Sequence, residues 1–403
     1  YEYYLTEMRS DNTRTKSSEG EAAQFESYNV EATNGIVADY YASFFNIIYR
    51  SNVVLENLGA AGDSATQFEA EAKFTRAYAY FNLVRLYGDL PLLDEVITPE
   101  NKEKAYTRVA TSTIYDLIVS DLQTAVAGLN DNSKFRASKA AAEGLLAKVY
   151  LTLGNYSGAQ ALCESIMNPG RGFSLESNFK DIFYNEGNDE IIFAVGYIAD
   201  SNESQNFSAE WLNAVGRTSG VNYATEDVRT VLDALGGDRT LYSYRQDQTQ
   251  TTQYQVVKYL PDGDSNLGIV ATSSDPQKAG NDWIVLRYAD VLLMHAEAIL
   301  AGRGETSDAA AIDSYNAVRQ RAGFEDRPSS VTKAGLLQER RVELAFENQR
   351  FYDLLRFGVA DDVLSIHAAE MGYSSYNARQ LLLPIPAREI NLSGGLLTQN
   401  PGY

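Results

Sequence analysis

ERRVELAFENQRFYDLLRFG, residues 339 to 358, is the most informative stretch of the chain; LLLPIPAREI (Leu381 to Ile390) and a closing QNPGY (Gln399 to Tyr403) follow it. Placed on a helix, Arg340, Glu343, Glu347, Arg350, Asp353 and Arg356 succeed one another at steps of three or four and share one face. Opposite charges alternate along that stripe. Leu337, Leu344, Ala345, Leu354 and Leu355 supply apolar surface for packing, so part of the stripe is expected to be buried and mutually neutralised. No nucleophile or metal ligand accompanies these charges. Structural pairing is therefore favoured over acid/base catalysis or phosphate binding.

Working outward, the same helical periodicity recurs upstream. RYADVLLMHAEAILAG (Arg287 to Gly302) and AAAIDSYNAVRQRAG (Ala309 to Gly323) read as a helix pair. In KAAAEGLLAKVYLTLG and the residues after it, Tyr150, Gly154, Tyr156 and Ala159 stand at the spacing of a tetratricopeptide-like turn, with Ser138 as N-cap. The two turn glycines, 154 and 302, are 148 positions apart, so these pairs are not in tandem. Residues 34 to 58 and 66 to 87 read as long helices, the second stopped by Gly88 and Pro91. Thr113 with Asp116 resembles a capping box for a helix running to about residue 129.

Between the helical stretches, residues 168 to 282 change character. Gly, Asn, Ser and Thr become frequent, and EIIFAVGYI (Glu190 to Ile198) and YQVVKYL (Tyr254 to Leu260) look like strands. This segment reads as a long irregular insertion on a helical scaffold that occupies about 34–167 and 283–358, with a C-terminal extension over 359–403. Loops held by a rigid frame are where binding residues concentrate.

The net charge of −20 argues against nucleic acid and against electrostatic attachment to an anionic membrane surface. Neutral and cationic ligands are left. Cys163 is the single cysteine, which rules out an intrachain disulfide and a multi-cysteine zinc site. With only His295 and His367, a histidine-based metal site or triad has little support. No run of eighteen apolar residues is present, and the opening at Tyr1 reads as a processed or trimmed end. Tyrosine is abundant, 27 against 16 Phe and 2 Trp, which suits both half-exposed helix packing and recognition surfaces.

Seven pieces in a fixed order, RAYAYFNLVRLYGDLPLL, ASKAAAEGLLAKVYLTLGNYSGA, LRYADVLLMHAEAI, YNAVRQRAG, ERRVELAFENQRFYDLLRFG, LLLPIPAREI and QNPGY, together resemble the SusD/RagB family over nearly the whole chain. The resemblance implies a mainly α fold, in which four tetratricopeptide-like helix pairs support a loop-rich ligand-binding half containing short strands. It implies an outer-membrane, cell-surface lipoprotein of Bacteroidetes that captures oligo- or polysaccharide without catalysis. A SusC-like TonB-dependent transporter is the implied partner. The family's lipid-bearing cysteine has no counterpart here, because Cys163 lies deep in the chain. An oligopeptide-binding role, as in the RagB-like branch, and a tetratricopeptide-like scaffold for a protein partner are the alternatives.

A glycan site combines planar hydrogen-bonding side chains with aromatic faces. Two stretches qualify. EMRSDNTR offers Arg9, Asp11 and Asn12, which resemble the family's N-terminal ligand-contacting region; a turn with a solvated salt bridge is the competing reading. NFSAEWLNAVGRTSGVNY offers Phe207, Trp211 and Tyr223, with Trp211 equally readable as a core residue beneath the loops. Trp283, in the strand-like run WIVL, is assigned to packing. DGDSNLG places Asp262, Asp264 and Asn266 at alternate positions as calcium loops do, yet its sixth position is Leu267 and its twelfth Ser273, so a hairpin turn is favoured.

Overall fold

The computed structural model describes residues 1–15, 19–212, 222–247 and 250–403. Its main helices are α1 (Gly35–Glu56), α2 (Ala65–Tyr87), α3 (Thr111–Gly128), α4 (Lys139–Leu153), α5 (Tyr156–Ile166), α6 (Phe207–Leu212), α7 (Glu226–Leu235), α8 (Tyr288–Leu300), α9 (Ala309–Arg321), α10 (Lys333–Glu343), α11 (Arg350–Arg356) and α12 (Ala360–Glu370). Helices α1 to α5 pack each on the next, α5 then packs on α8, and α8 on α9. Pairs distant in sequence are thus neighbours in one helical layer. None of the described helices is long and apolar enough to cross a membrane.

Local chemistry accounts for most boundaries. Asn34 and Ser138 accept the N–H groups of Val37 and Ala141 and so open α1 and α4. Gly88 and Gly154 close α2 and α4 at φ of 74°, a conformation that disfavours any side chain. Helix α3 departs from expectation, because it begins at Thr111 and leaves Thr113 inside its first turn. Its cap comes from another segment: the Thr111 N–H donates to Asp89 Oδ1 at 3.0 Å. Close approach in the α4/α5 pair depends on Gly158, where a Cβ would lie 2.7 Å from the Tyr150 ring.

The 339–358 run is not one helix. Helix α10 ends at Glu343 and α11 starts at Arg350, with Phe346 and Asn348 between them at φ of 67° and 63°. The buried Glu7 carboxylate makes this break by accepting the N–H groups of Phe346 (2.9 Å) and Asn348 (3.1 Å). Lys258 and Arg287 take the Glu343 carbonyl. The charged stripe pairs as the alternation predicts, though across segments. Arg287 holds Glu190, Glu343 and Glu347, Arg239 holds Glu339 and Glu343, and Arg340 holds Asp290 and Asp353. Burial alone would raise the Glu343 carboxyl, but Arg321, Arg287 and Arg239 hold it well below the usual carboxylate range.

Short strands carry the rest: β1 (Thr13–Arg14), β2 (Ile191–Val195), β3 (Tyr223–Ala224), β4 (Tyr244–Gln246), β5 (Tyr254–Val256) and β6 (Trp283–Arg287). Strand β2 pairs antiparallel with β6, which runs straight into α8, so the irregular segment is stitched to the helical layer. Gly144 on α4 admits this sheet, since a Cβ there would sit 2.1 Å from Leu286 Cδ2. The DGDSNLG stretch folds as the favoured turn. Asp264 bridges to Ile269 across it, caps Asn266 and pairs with Arg245 at 2.5 Å. Cys163 is buried, and burial pushes its thiol pKa up.

Candidate functional site

Five of the six residues singled out from the sequence, Arg9, Asp11, Asn12, Phe207 and Trp211, are buried. Arg9 is 1% exposed, donates to the carbonyls of Leu5 (3.1 Å) and Gln380 (2.5 Å), and stacks 4.2 Å over the Phe351 ring. Asp11 accepts both Nε and Nη2 of Arg350 at 2.7 Å and lies 3.1 Å from Arg341. Asn12 joins Arg341 (2.9 Å) to Glu7 (3.1 Å). These three residues tie the N-terminal segment to α10 and α11, so the correction is toward an internal brace and away from ligand contact. Trp211 is 1% exposed among Tyr3, Tyr259 and Phe346, at ring distances of 5.7 to 6.4 Å, and has no face for a ligand.

The two stretches nevertheless meet. Strands β1 and β3 pair with Thr13 opposite Ala224 and Arg14 opposite Tyr223. The Thr225 hydroxyl donates to the Asp11 carbonyl at 2.9 Å. Tyr223 is half-buried, with the Arg14 guanidinium 5.4 Å from its ring. Residues 213–221 of the same stretch lie outside the described residues.

Phe207, the sixth residue, leads to a different surface. It lines a trough of about 340 Å³ together with Tyr40, Phe44, Tyr78, Tyr197 and Trp283. Phe207 meets the Trp283 ring edge-on at 5.0 Å and leans on Tyr197 at 6.2 Å, while Tyr40 stacks on Phe44 at 4.3 Å and Phe44 contacts Tyr78. Phe44, Tyr78, Tyr197 and Trp283 are each half-buried and keep part of their surface open. Trp283 thus both packs, as assigned from the sequence, and lines this trough.

Polar groups rim the aromatic walls. Ser43 and Asn206 are exposed, and Glu2 is half-buried. Gln205 is locked in place by bonds to Ser208 (2.8 Å) and the Asn281 carbonyl (3.1 Å). The Tyr40 hydroxyl is buried and has no hydrogen-bond partner among the described residues. Tyr197 also lines an adjoining basin of about 280 Å³ with Asn185, Glu186, Thr272 and Asp282. Burial, with a smaller push from Glu186, lifts the Asp282 carboxyl to about 6, although it accepts the Tyr197 N–H.

The chemistry of this surface is adsorption. Ring faces pack against C–H surfaces, and neutral amides and hydroxyls serve ligand hydroxyls. Most of its residues escaped the sequence reading, yet one signal was visible. Helix α1 carries Tyr40, Tyr41, Phe44 and Phe45, two aromatic pairs at i, i+4 on neighbouring faces. Tyr41 and Phe45 pack on Tyr87 and Tyr80 of α2, which leaves Tyr40 and Phe44 to face the trough.

Comparison with known proteins bears on the same chain. A family model described as "SusD family" matches residues 128–403, and one described as "Starch-binding associating with outer membrane" matches residues 1–151. SusD-like protein P2 of Formosa agariphila is 28% identical, over 96% of this chain and 85% of its own length. A SusD-like protein of Bacteroides ovatus is also 28% identical, over 82% of this chain and 67% of its own. A solved laminarin-binding SusD-like protein superposes with a TM-score of 0.83 at 26% identity, covering all of this chain and 94% of that one.

Proposed function

The chain belongs to the SusD/RagB family, and from that premise we propose that it is a cell-surface glycan-binding protein that captures oligo- or polysaccharide in the Tyr40–Trp283 trough. The observation that carries this reading is the combination, in one open concavity, of four half-buried aromatics, Phe44, Tyr78, Tyr197 and Trp283, with exposed neutral hydrogen-bonding groups. Its family and its relative named for laminarin binding support the ligand class. The family description supports association with the outer membrane.

Binding on such a surface needs no bond-making step, and the protein acts as a capture subunit without catalysis. Delivery would follow by docking onto a SusC-like TonB-dependent barrel, reached through a lipid anchor on the membrane. Calorimetry or affinity electrophoresis against a glycan panel tests the capture step. Trp283→Ala removes the largest ring of the trough and is expected to weaken binding of any glycan ligand about tenfold or more. Unchanged affinity in that variant, or retention of peptides in place of glycans by the purified protein, would overturn the assignment. Co-purification of a barrel of the SusC type tests the partner.

A further inference from the structure

Resting on the glycan reading of the trough, we propose that this site selects uncharged oligosaccharides and rejects chains bearing carboxylates or sulfates. Recognition of those anions relies on arginine forks or lysine ammonium groups at the contact surface. Among the described residues lining the trough and its adjoining basin there is no Lys or Arg. The charged side chains that line them are acidic: Glu2 in the trough, Glu186 and Asp282 in the basin.

The cations behind the trough are committed elsewhere. Arg85 and Lys148 lie behind Tyr78 and Trp283, where they line a cavity of about 40 Å³ and a second of about 440 Å³ shared with Arg340 and Arg356; neither lines the trough or its basin. Arg85 is sandwiched between the Phe81 and Tyr352 rings, 3.9 and 3.5 Å from their centroids. Lys148 donates to Asp290 at 2.7 Å and to Gln349 at 2.9 Å. A uronate or sulfate entering the trough would lose hydration and meet carboxylates of its own sign, within a protein whose net charge is −20. A neutral sugar carries no charge for Glu2, Glu186 or Asp282 to repel and can use the exposed Ser43 hydroxyl and Asn206 amide.

The test titrates the whole chain with neutral laminari- and xyloglucan oligosaccharides and with oligogalacturonates and sulfated galactan oligomers of matched length, at low and high ionic strength. We expect a neutral oligomer to bind about tenfold or more tighter than any anionic one at low salt, with the gap narrowing as salt rises. Val195→Lys, which puts an ammonium at an exposed position on the edge of the trough, is expected to raise affinity for the anionic oligomers and leave the neutral ones nearly unchanged. Anionic oligomers binding as tightly as neutral ones, with that binding lost in Trp283→Ala, would overturn the charge selection while leaving glycan capture at this trough intact. No binding of either class, or binding indifferent to Trp283→Ala, would remove the trough reading and the selection together.

Discussion

Asp11 receives its two arginines from positions 330 and 339 residues downstream, and that explains why its role was hidden in EMRSDNTR. A local reading sees three polar residues in a short stretch; the guanidinium groups that claim them are nowhere nearby in sequence. Burial would raise the Asp11 carboxyl, but Arg341 and Arg350 outweigh it and hold it well below the usual carboxylate range. Its stabilisation is therefore complete above the ordinary carboxylate pKa and is lost as pH falls through the lowered one. Asp11→Asn strands the buried Arg350 guanidinium and leaves Arg341 paired with Asp227, and it is expected to cost about 3–5 kcal/mol near neutral pH, with the deficit shrinking below about pH 4. Denaturant unfolding of both proteins across that range checks it, and a deficit that grows on acidification would contradict the pairing. The two tryptophans divide in the same manner. Trp211→Ala should cost about 3–5 kcal/mol of stability as a cavity in the core and spare ligand affinity in the folded protein, whereas Trp283→Ala should do the reverse.

At the scale of elements, local signals served well wherever a helix end is settled by its own residues. Ser138, Gly88 and Gly154 all act where the sequence puts them. They failed where a distant group does the capping, as Asp89 does for α3 and Glu7 does between α10 and α11. Periodicity alone cannot register a break whose cause lies more than 300 residues upstream. The α4/α5 pair offers a direct test of close approach. Gly158→Ala places a Cβ 2.7 Å from the Tyr150 ring, and the overpacking should exceed the helix-propensity gain, for a net loss of about 1–3 kcal/mol. A thermal midpoint equal to or above that of the parent would show that the ring yields freely.

Over the whole molecule, recognition pieces and binding surface overlap only at Tyr78. The seven motifs build the helical layer and its buried ion pairs, while the trough draws on residues 2, 40, 43, 44, 78, 197, 205, 206, 207 and 283. Family was legible because its signature is contiguous; the trough was not, because only folding assembles it. The surplus of acid also acts globally. Self-repulsion at −20 should make the thermal midpoint rise as ionic strength increases from about 20 to about 200 mM, since exposed charges are screened and the buried pairs are not. A falling midpoint would mean that exposed ion pairs dominate the balance. The knot around Arg287 carries a kinetic consequence. Its partners Glu343, Glu347 and Glu190 lie 56, 60 and 97 residues away along the chain, so it closes only after large loops have been gathered. It is expected to be a late clasp on the folding route, formed after the transition state. Arg287→Lys should accordingly speed unfolding with little change in the refolding rate, and the knot then serves chiefly to lengthen the lifetime of the native state.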